Sequence, residues 1–424
     1  MSNVRPLLIN THDTLGGAAI ATFRLLKGLN RNGVPAKMLV QEKQSEHPNV
    51  VTPSRGRFRN AAAGLRSLVD QQPLRLLYPG RQPVPFSLNW LPGDSVRALR
   101  SLVPDIINLH WINAGFMSLG AIGRIKQPII WTLHDMWPFT GVCHYSGDCL
   151  GFRCTCGACS LLGNAGHSDL SRWNWKRKRN SLAKMDLTVV TPSRWLAGEA
   201  KCSRLLGRFP IEVIPNGVDP DIFRPAAKTI VRELLGIDRT RKVILFGGAH
   251  VLADRRKGAH FFSRALGILK AKAPKIPLEV VVFGAEVSED ALPFHYPTKY
   301  LGIIRDERLM AQVYAAADIY VTSPTQENLA NTVIEALACG APVVAFDVGG
   351  MREMISHEEN GYLACAADAA DLARGMKWAL ERDERLARLS MEARETATRE
   401  FDCVRNAKRY QQLYERVVLE RKSR

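Results

Sequence analysis

The feature that most constrains this chain is a repeated alternation of short apolar runs with longer helical stretches. It is clearest between Ile319 and Phe346. There the apolar run Ile319-Tyr320-Val321 is followed by a polar, loop-like segment through Pro324 to Glu327. Thr332–Cys339 then has helical character, Gly340-Ala341-Pro342 ends it, and Val343-Val344-Ala345-Phe346 is a second apolar run. Runs this short and this rich in β-branched and aromatic residues are strands buried on both faces. Glycine and proline stop the helix between them. Strand, loop, helix, strand requires a crossover, and therefore a parallel sheet. Such sheets bind ligands outside the C-terminal ends of their strands. Two glutamates fall at that position, Glu327 in the loop and Glu335 in the helix, with seven residues between them.

The same alternation runs through most of the chain. Val4–Asn10 reads as the first strand, followed by Gly16-Gly17 and a helix over Ala18–Asn30. A strand, a glycine pair and a helix form an anion cradle, because glycine admits close backbone approach and the helix start offers N–H groups. A glycine pair alone marks only a tight turn. Ala36–Val40 is a second strand. Residues 44–100, rich in Pro, Arg and Gly and poorly periodic, read as loops and short helices. Asp105–His110 and Ile129–His134 are strands ending in His110 and in His134-Asp135. A lone histidine at a strand end is more often structural than functional, but two on one edge, facing the same crevice as Gly16-Gly17, suggest a site. A helix to Met185 and strands at Leu187–Thr191 and Ile211–Ile214 complete this half. Pro215-Asn216-Gly217 marks a turn, and Pro220 and Pro225 a linker. The pattern restarts with a strand at Lys242–Phe246, Gly247-Gly248, the polar loop Asp254–Gly258, a helix over 259–272, and strands at 278–283 and 299–301. A helix over 306–316 leads into the unit described first, and helices at Gly349–Ile355 and Asp368–Leu380 follow it. From Asp402 to Lys422, Val404, Ala407, Tyr410, Leu413, Tyr414 and Val417 share one face of an amphipathic helix that should pack on the body of the protein. The expectation is an α/β chain of two domains with helices on both faces of two parallel sheets, for which 424 residues suffice.

A net charge of +17 and a pI near 9.7 attract polyanions. The chain shows no zinc-finger, RRM or helix-turn-helix signature, so no nucleic-acid partner is expected. Trp173-Asn174-Trp175 followed by Lys176-Arg177-Lys178-Arg179 reads either as the exposed start of a helix or as a patch for an anionic membrane surface. No run approaches eighteen apolar residues, and the N-terminal apolar stretch is too short for a signal peptide. The expected location is therefore cytoplasmic, with peripheral contact at the inner face of the plasma membrane. Five cysteines lie between Cys143 and Cys159. Four thiolates suit a tetrahedral zinc, and Cys154, one residue from Cys156, is the natural spare. An iron–sulfur cluster and free thiols are the alternatives.

Taken together, these residues resemble a family. The pair Glu327 and Glu335, followed by EALACGAPVVA, resembles the signature of retaining glycosyltransferases of family GT4, which have the GT-B fold. VIPNGVD (Val213–Asp219), RKG (Arg256–Gly258) and LYERV near the end resemble three further segments of that family, so the resemblance covers nearly the whole chain. WTLHDMWPFTGVCHYSGDC with CGAC is similar to a bacterial exopolysaccharide subgroup that includes colanic-acid-type galactosyltransferases. Its C-x5-C-x6-C-x2-C pattern selects Cys143, Cys149, Cys156 and Cys159.

The resemblance implies two Rossmann-like domains whose parallel sheets face a central cleft. Residues 1–219 would form the acceptor-side domain, with a Cys-rich insertion at 141–160. Residues 220–400 would bind the nucleotide sugar, and 401–424 would form a helix crossing back to the N-terminal domain. The implied reaction moves a hexose, with retention, from a UDP- or GDP-linked donor to a lipid-linked oligosaccharide in cell-surface polysaccharide synthesis. Glu327 and His134 would meet the donor sugar. Glu335 would accept from the ribose hydroxyls, since two carboxylate oxygens suit a vicinal diol. Arg256, Lys257 and the backbone amides of Ala330 and Asn331 would neutralise charge developing on the diphosphate. Gly16 and Gly17 would lie near the diphosphate and acceptor, and Ile303 and Ile304 near the base. No catalytic metal is expected, and the cysteines would hold a structural zinc. The sequence departs from the family in three places. Leu252 stands where an arginine is common, the loop after Glu327 reads Asn328-Leu329-Ala330-Asn331 in place of a glycine-rich turn, and Ala330 replaces the subgroup's proline. An epimerase or hydrolase of nucleotide sugars on the same fold, or a non-catalytic binder of carbohydrate or nucleic acid, is the alternative.

Overall fold

The computed structural model describes residues 4–53, 59–93, 95–163, 166–286 and 292–423. Parts of the N-terminal stretch, of the 44–100 segment and of the two expected domains therefore lie outside the described residues. The chain divides into two compact units, Met1–Pro215 joined by Val404–Arg424, and Asn216–Cys403.

The first unit holds a seven-stranded sheet: β1 (Pro6–His12), β2 (Lys37–Glu42), β3 (Val50–Val51), β4 (Ile106–Leu109), β5 (Ile129–Thr132), β6 (Leu187–Thr191) and β7 (Ile211–Val213). Their order is β3-β2-β1-β4-β5-β6-β7, and the pairings are parallel. The second unit holds β8 (Lys242–Gly247), β9 (Leu278–Phe283), β10 (Thr298–Tyr300), β11 (Ile319–Thr322), β12 (Val343–Phe346) and β13 (Gly361–Ala364), parallel in the order β10-β9-β8-β11-β12-β13. Each unit is thus a Rossmann-like doubly wound sheet. Its strand order reverses between β1 and β4 in the first and between β8 and β11 in the second. Ligands bind at such switch points.

The strands form because both faces are buried. Leu7 and Ile9 enter a cluster with Trp131, Trp137 and Trp175, whereas Leu8 enters one on the opposite face. That second cluster contains the C-terminal helix, Cys403–Lys422. Ala407, Tyr410, Leu413, Tyr414 and Val417 pack there against Leu8, Ile106, Ile130 and Val190. Each large apolar side chain buried this way contributes about 1.5–3 kcal/mol.

Several sequence expectations need correction. Residues 59–77 form one helix, Arg59–Leu77, that continues through Pro73. Its weak apolar periodicity and its proline hid it. Gly349–Ile355 is no helix; only a short turn, Met351–Glu353, forms, because its apolar residues Met351, Met354 and Ile355 all turn into the core. The helices Arg194–Cys202, Lys228–Leu235 and Asp383–Glu400 and the strands β3, within the segment read as loops and short helices, and β13 were not anticipated. The tryptophan and cation patch is divided by its helix, Leu170–Leu182. Trp175 and Lys178 are buried, while Trp173, Lys176 and Arg179 face outward. Among the described residues no helix is long and apolar enough to cross a membrane.

Candidate functional site

In the second unit, the site begins at the end of β11. The chain leaves the sheet at Ser323, whose hydroxyl donates to the Gly258 carbonyl at 2.8 Å. Gly258 has φ of +73°, and a Cβ there would stand 1.8 Å from the Ser323 carbonyl oxygen, so only glycine permits the approach. Thr325 N donates to the Arg256 carbonyl at 2.8 Å. These contacts tie the Arg256-Lys257 turn to the glutamate loop. On the other side Gly349, at φ +55°, admits the Glu327 carbonyl where a Cβ would lie 1.8 Å away. Gly350 N then donates to that carbonyl at 3.2 Å.

Glu327 is buried, and two cations meet the same oxygen: Lys257 Nζ at 2.6 Å and Arg256 Nη1 at 3.1 Å from Oε2. Burial alone would push this carboxyl up. The Coulomb attraction of Lys257 and Arg256, with their hydrogen bonds, outweighs burial and holds it well below the usual carboxylate range. The two cations differ. Arg256 also donates to the Gln326 carbonyl at 2.7 Å and pairs with Asp254 at 3.1 Å, so it braces the loop. Lys257 is a point charge with three donors, more easily shared with a ligand. Arg255 is exposed, and Leu252 packs against the core where the family's common arginine would stand.

Glu335 lies one turn into the helix Asn331–Ala338 and is also buried. Tyr314, pushed well above its ordinary value by burial and by this carboxylate, donates to Glu335 Oε2 at 3.0 Å. Ala330 precedes the helix and has no side chain to cap its first amides. Asn331 Oδ1 accepts from Asn216 Nδ2 at 2.9 Å, and Asn328 is buried with its N–H on Glu327 Oε1 at 3.2 Å. Leu329 points into the core, so its side chain is structural. Ile303 is exposed after Gly302, and Ile304 packs partly against the core.

In the first unit, Gly16 (φ +92°) precedes the helix Gly17–Arg31, directly after β1. His110 and His134 lie just beyond β4 and β5, and the structure brings their rings together: His110 Nδ1 and His134 Nε2 are 2.9 Å apart. Burial lowers both, His110 well below the ordinary histidine value and His134 to about 4. Asp135 is committed elsewhere. It accepts from His144 Nδ1 at 2.6 Å, Trp111 Nε1 at 3.1 Å and Trp137 N at 2.9 Å. His144 Nε2 in turn meets Ser87 Oγ at 2.9 Å. Serine, histidine and carboxylate stand in a row here, but Ser87 is 3% exposed and its carbonyl accepts from Trp137 Nε1 at 2.8 Å, so the row is a buried brace.

Cys143, Cys149, Cys156 and Cys159 line one small pocket with Thr140 and Ser146; Cys154 does not line it. Burial pushes the Cys143 and Cys156 thiols up to about 12. Lys178 is buried beside them, lowered to about 7 by burial, and donates to the carbonyls of Trp137 and Thr140. Among the described residues no three His, Cys, Asp or Glu side chains stand close enough to share a metal ion.

Comparison with known proteins places these features. A family model described as "Glycosyltransferase Family 4" matches residues 15–222, and one described as "Glycosyl transferases group 1" matches residues 241–382. The chain belongs to the group 1, family 4 glycosyltransferases. It is similar to D-inositol 3-phosphate glycosyltransferase of Paenarthrobacter aurescens, 32% identical over 177 residues, which are 39% of this chain and 42% of that protein. The protein of the same name from Xylanimonas cellulosilytica is 27% identical over 405 residues, 91% of this chain and 88% of that one. The first curated relatives are thus matched over less than half of their length. Among solved structures, Anabaena Alr3699/HepE in complex with UDP-glucose superposes with a TM-score of 0.64 at 18% identity, covering 97% of this chain and all of that one. The fold is GT-B.

Sequence reasoning missed Asp254, Tyr314 and the Asp135–His144–Ser87 row as parts of the site. Asp254 had a readable signal, an acidic residue two places before the cation pair. Tyr314 had none, since it looks like any core position of its helix.

Proposed function

We propose that this glycosyltransferase moves a sugar, with retention of configuration, from a nucleotide diphosphate donor to an acceptor hydroxyl. The observation that carries the reading is the cluster in which the half-buried cations Lys257 and Arg256 meet the buried Glu327 carboxylate at a sheet switch point, with Glu335 one turn into the helix that follows. In the proposed complex Lys257 is shared between Glu327 and the diphosphate, while Arg256 holds the loop. The bond from the sugar's anomeric carbon to the diphosphate oxygen breaks, and its electron pair stays on the diphosphate. The acceptor oxygen bonds to that carbon on the same face and passes its proton to the leaving phosphate. Lys257 and the first amides of the Asn331–Ala338 helix stabilise the leaving charge. Glu327 stabilises positive charge on the sugar ring, and His134 meets the same sugar. Glu335 accepts from the ribose.

The donor is a UDP- or GDP-sugar, an assignment supported by the UDP-glucose complex of the Anabaena protein. The acceptor is a lipid-linked oligosaccharide of a cell-surface polysaccharide. The anionic lipid carrier suits the +17 charge, and Trp173, Lys176 and Arg179 are the outward residues for contact with an anionic membrane surface. The relatives' name makes D-inositol 3-phosphate the anionic acceptor to compare with it. The test is turnover of UDP-glucose and GDP-mannose with each acceptor and with none. Acceptor-dependent formation of a product retaining the donor's configuration supports transfer. Equal turnover without any acceptor would make the protein a hydrolase or epimerase.

A structural zinc on Cys143, Cys149, Cys156 and Cys159 belongs to the same proposal, supported by their sequence spacing and by their lining of one pocket, and it requires the four thiols to draw closer together than they stand here. Metal analysis of reduced, purified protein should find about one zinc per chain, and Cys143→Ser with Cys159→Ser should abolish it. Metal-free protein with an intact fold would refute it.

A further inference from the structure

Beneath the histidine pair of the first unit lies a polar layer that the proposed chemistry does not use. Asn108 on β4 stands two residues before His110, and Thr132 on β5 two before His134; backbone bonds from His110 to Ile9 and from Leu133 to Val190 continue the ladder past both strand ends, so all four point to one sheet face. That face is covered by the C-terminal helix. Its Tyr414 and Tyr410, one turn apart, reach Asn108 and Thr132 respectively. Asn108, Thr132, Tyr410 and Tyr414 are all buried.

The orientation of the Asn108 amide follows from its surroundings. Two backbone carbonyls, of Leu109 and Ile130, stand 3.2 Å from one end, together with Thr132 Oγ1 at 3.0 Å. Carbonyl oxygens only accept, so that end is the amide nitrogen. The amide oxygen then faces Tyr414 Oη at 2.8 Å and His110 Nε2 at 3.2 Å. His110 Nε2 must therefore carry a proton. His110 is buried and neutral, so its Nδ1 is a lone pair, and the 2.9 Å contact to His134 requires the proton on His134 Nε2. The reverse polarity would turn the Asn108 oxygen against two carbonyl oxygens in a site without water access. Two such buried acceptor clashes are strongly unfavourable, because neither oxygen has a donor to replace water.

We propose that Tyr414, Asn108 and His110 are positioning residues that fix His134 in its Nε2–H tautomer, with Nδ1 as the lone-pair nitrogen. The C-terminal helix thereby sets the chemistry of a residue far from it in sequence. On the proposed function, from which this consequence follows, His134 meets the sugar as a hydrogen-bond acceptor and not as a proton donor. The tautomer itself does not rest on that reading.

Selective 15N-histidine labelling of the full chain tests it, with His134 and His110 assigned by the resonances lost in His134→Gln and His110→Gln. At neutral pH both rings should show an Nε2–H and the large downfield shift of an unprotonated Nδ1. An Nδ1–H on His134 in the unaltered protein, or a cationic ring, would overturn the proposal whatever reaction the protein catalyses. Asn108→Leu should leave His110 and His134 as tautomer mixtures. Where that core variant fails to fold, Tyr414→Phe removes one hydroxyl and keeps the ring; His110 should then show a partial mixture, and unchanged signals would remove the helix from the chain of control. In turnover, Asn108→Leu or Tyr414→Phe should lower kcat with the donor KM unchanged. A normal tautomer pattern in the unaltered protein with no sugar transfer would refute the function and leave the tautomer assignment standing.

Discussion

In the second unit Glu327 stays ionised inside the protein because Lys257 and Arg256 press against one of its oxygens. In the first, His110 and His134 stay neutral because burial outweighs what little negative charge reaches them, Asp135 being taken by His144 and two tryptophans. One region keeps charges in the interior by balancing them, the other keeps polar groups there by discharging them and chaining their hydrogen bonds. The difference suits the two tasks. A balanced ion cluster can exchange one partner for a diphosphate, whereas a neutral chain can hold one nitrogen in one protonation state.

Removing charge should therefore hurt the second unit most. Lys257→Ala should lower the rate of transfer by about 100–1,000-fold, the scale of losing one group that stabilises developing negative charge. Initial rates at saturating donor measure it, and a fall below threefold would make the ion cluster structural. Glu335→Ala should weaken donor affinity by roughly 10–100-fold, the worth of hydrogen bonds to a charged group. Titration calorimetry reads this, and unchanged affinity would remove Glu335 from the ribose.

Acid should separate the two regions. His110 and His134 have folded values below the unfolded one near 6.5, so the folded protein binds fewer protons than the unfolded chain. Their contribution is complete above about pH 6.5 and declines as the pH falls toward 4, by at most about 1.4 kcal/mol per pH unit for each ring. Glu327 is also held below its unfolded value, but that value is near 4.5, so its contribution declines only below about pH 4.5. Hydrogen exchange resolved by peptide should show β4 and β5 losing protection between pH 6.5 and 5 while β11 does not. Simultaneous loss would contradict the contrast.

The same contrast explains what was legible in the sequence. Strands declare themselves by short apolar runs, and most of both sheets follows from them; the edge strands β3 and β13 do not. The ion cluster was half legible, because Arg256, Lys257 and Glu327 are charged residues in polar loops after strands, where parallel sheets bind ligands. Their mutual contact was not, since 70 residues separate Lys257 from Glu327. The histidines were legible as strand ends, but the layer beneath them was not. Tyr410 and Tyr414 read as ordinary members of an apolar helix face, and their hydroxyl partners lie 278 and 306 residues away. A tyrosine's packing is written locally and its hydroxyl's partner is not. The stretch after residue 59 failed for the opposite reason, since a helix through Pro73 contradicts the local rule.

The measurement that bears most directly on the account is a thermal-shift titration of UDP-, GDP- and dTDP-sugars into the unaltered protein and into Lys257→Ala. A ligand that binds only the folded state stabilises it by about 2.7 kcal/mol at a hundred times its Kd. The account predicts that one nucleotide sugar raises the melting temperature saturably, and that Lys257→Ala needs far more of it for the same rise. No shift with any nucleotide sugar, or identical titrations for the two proteins, would contradict it.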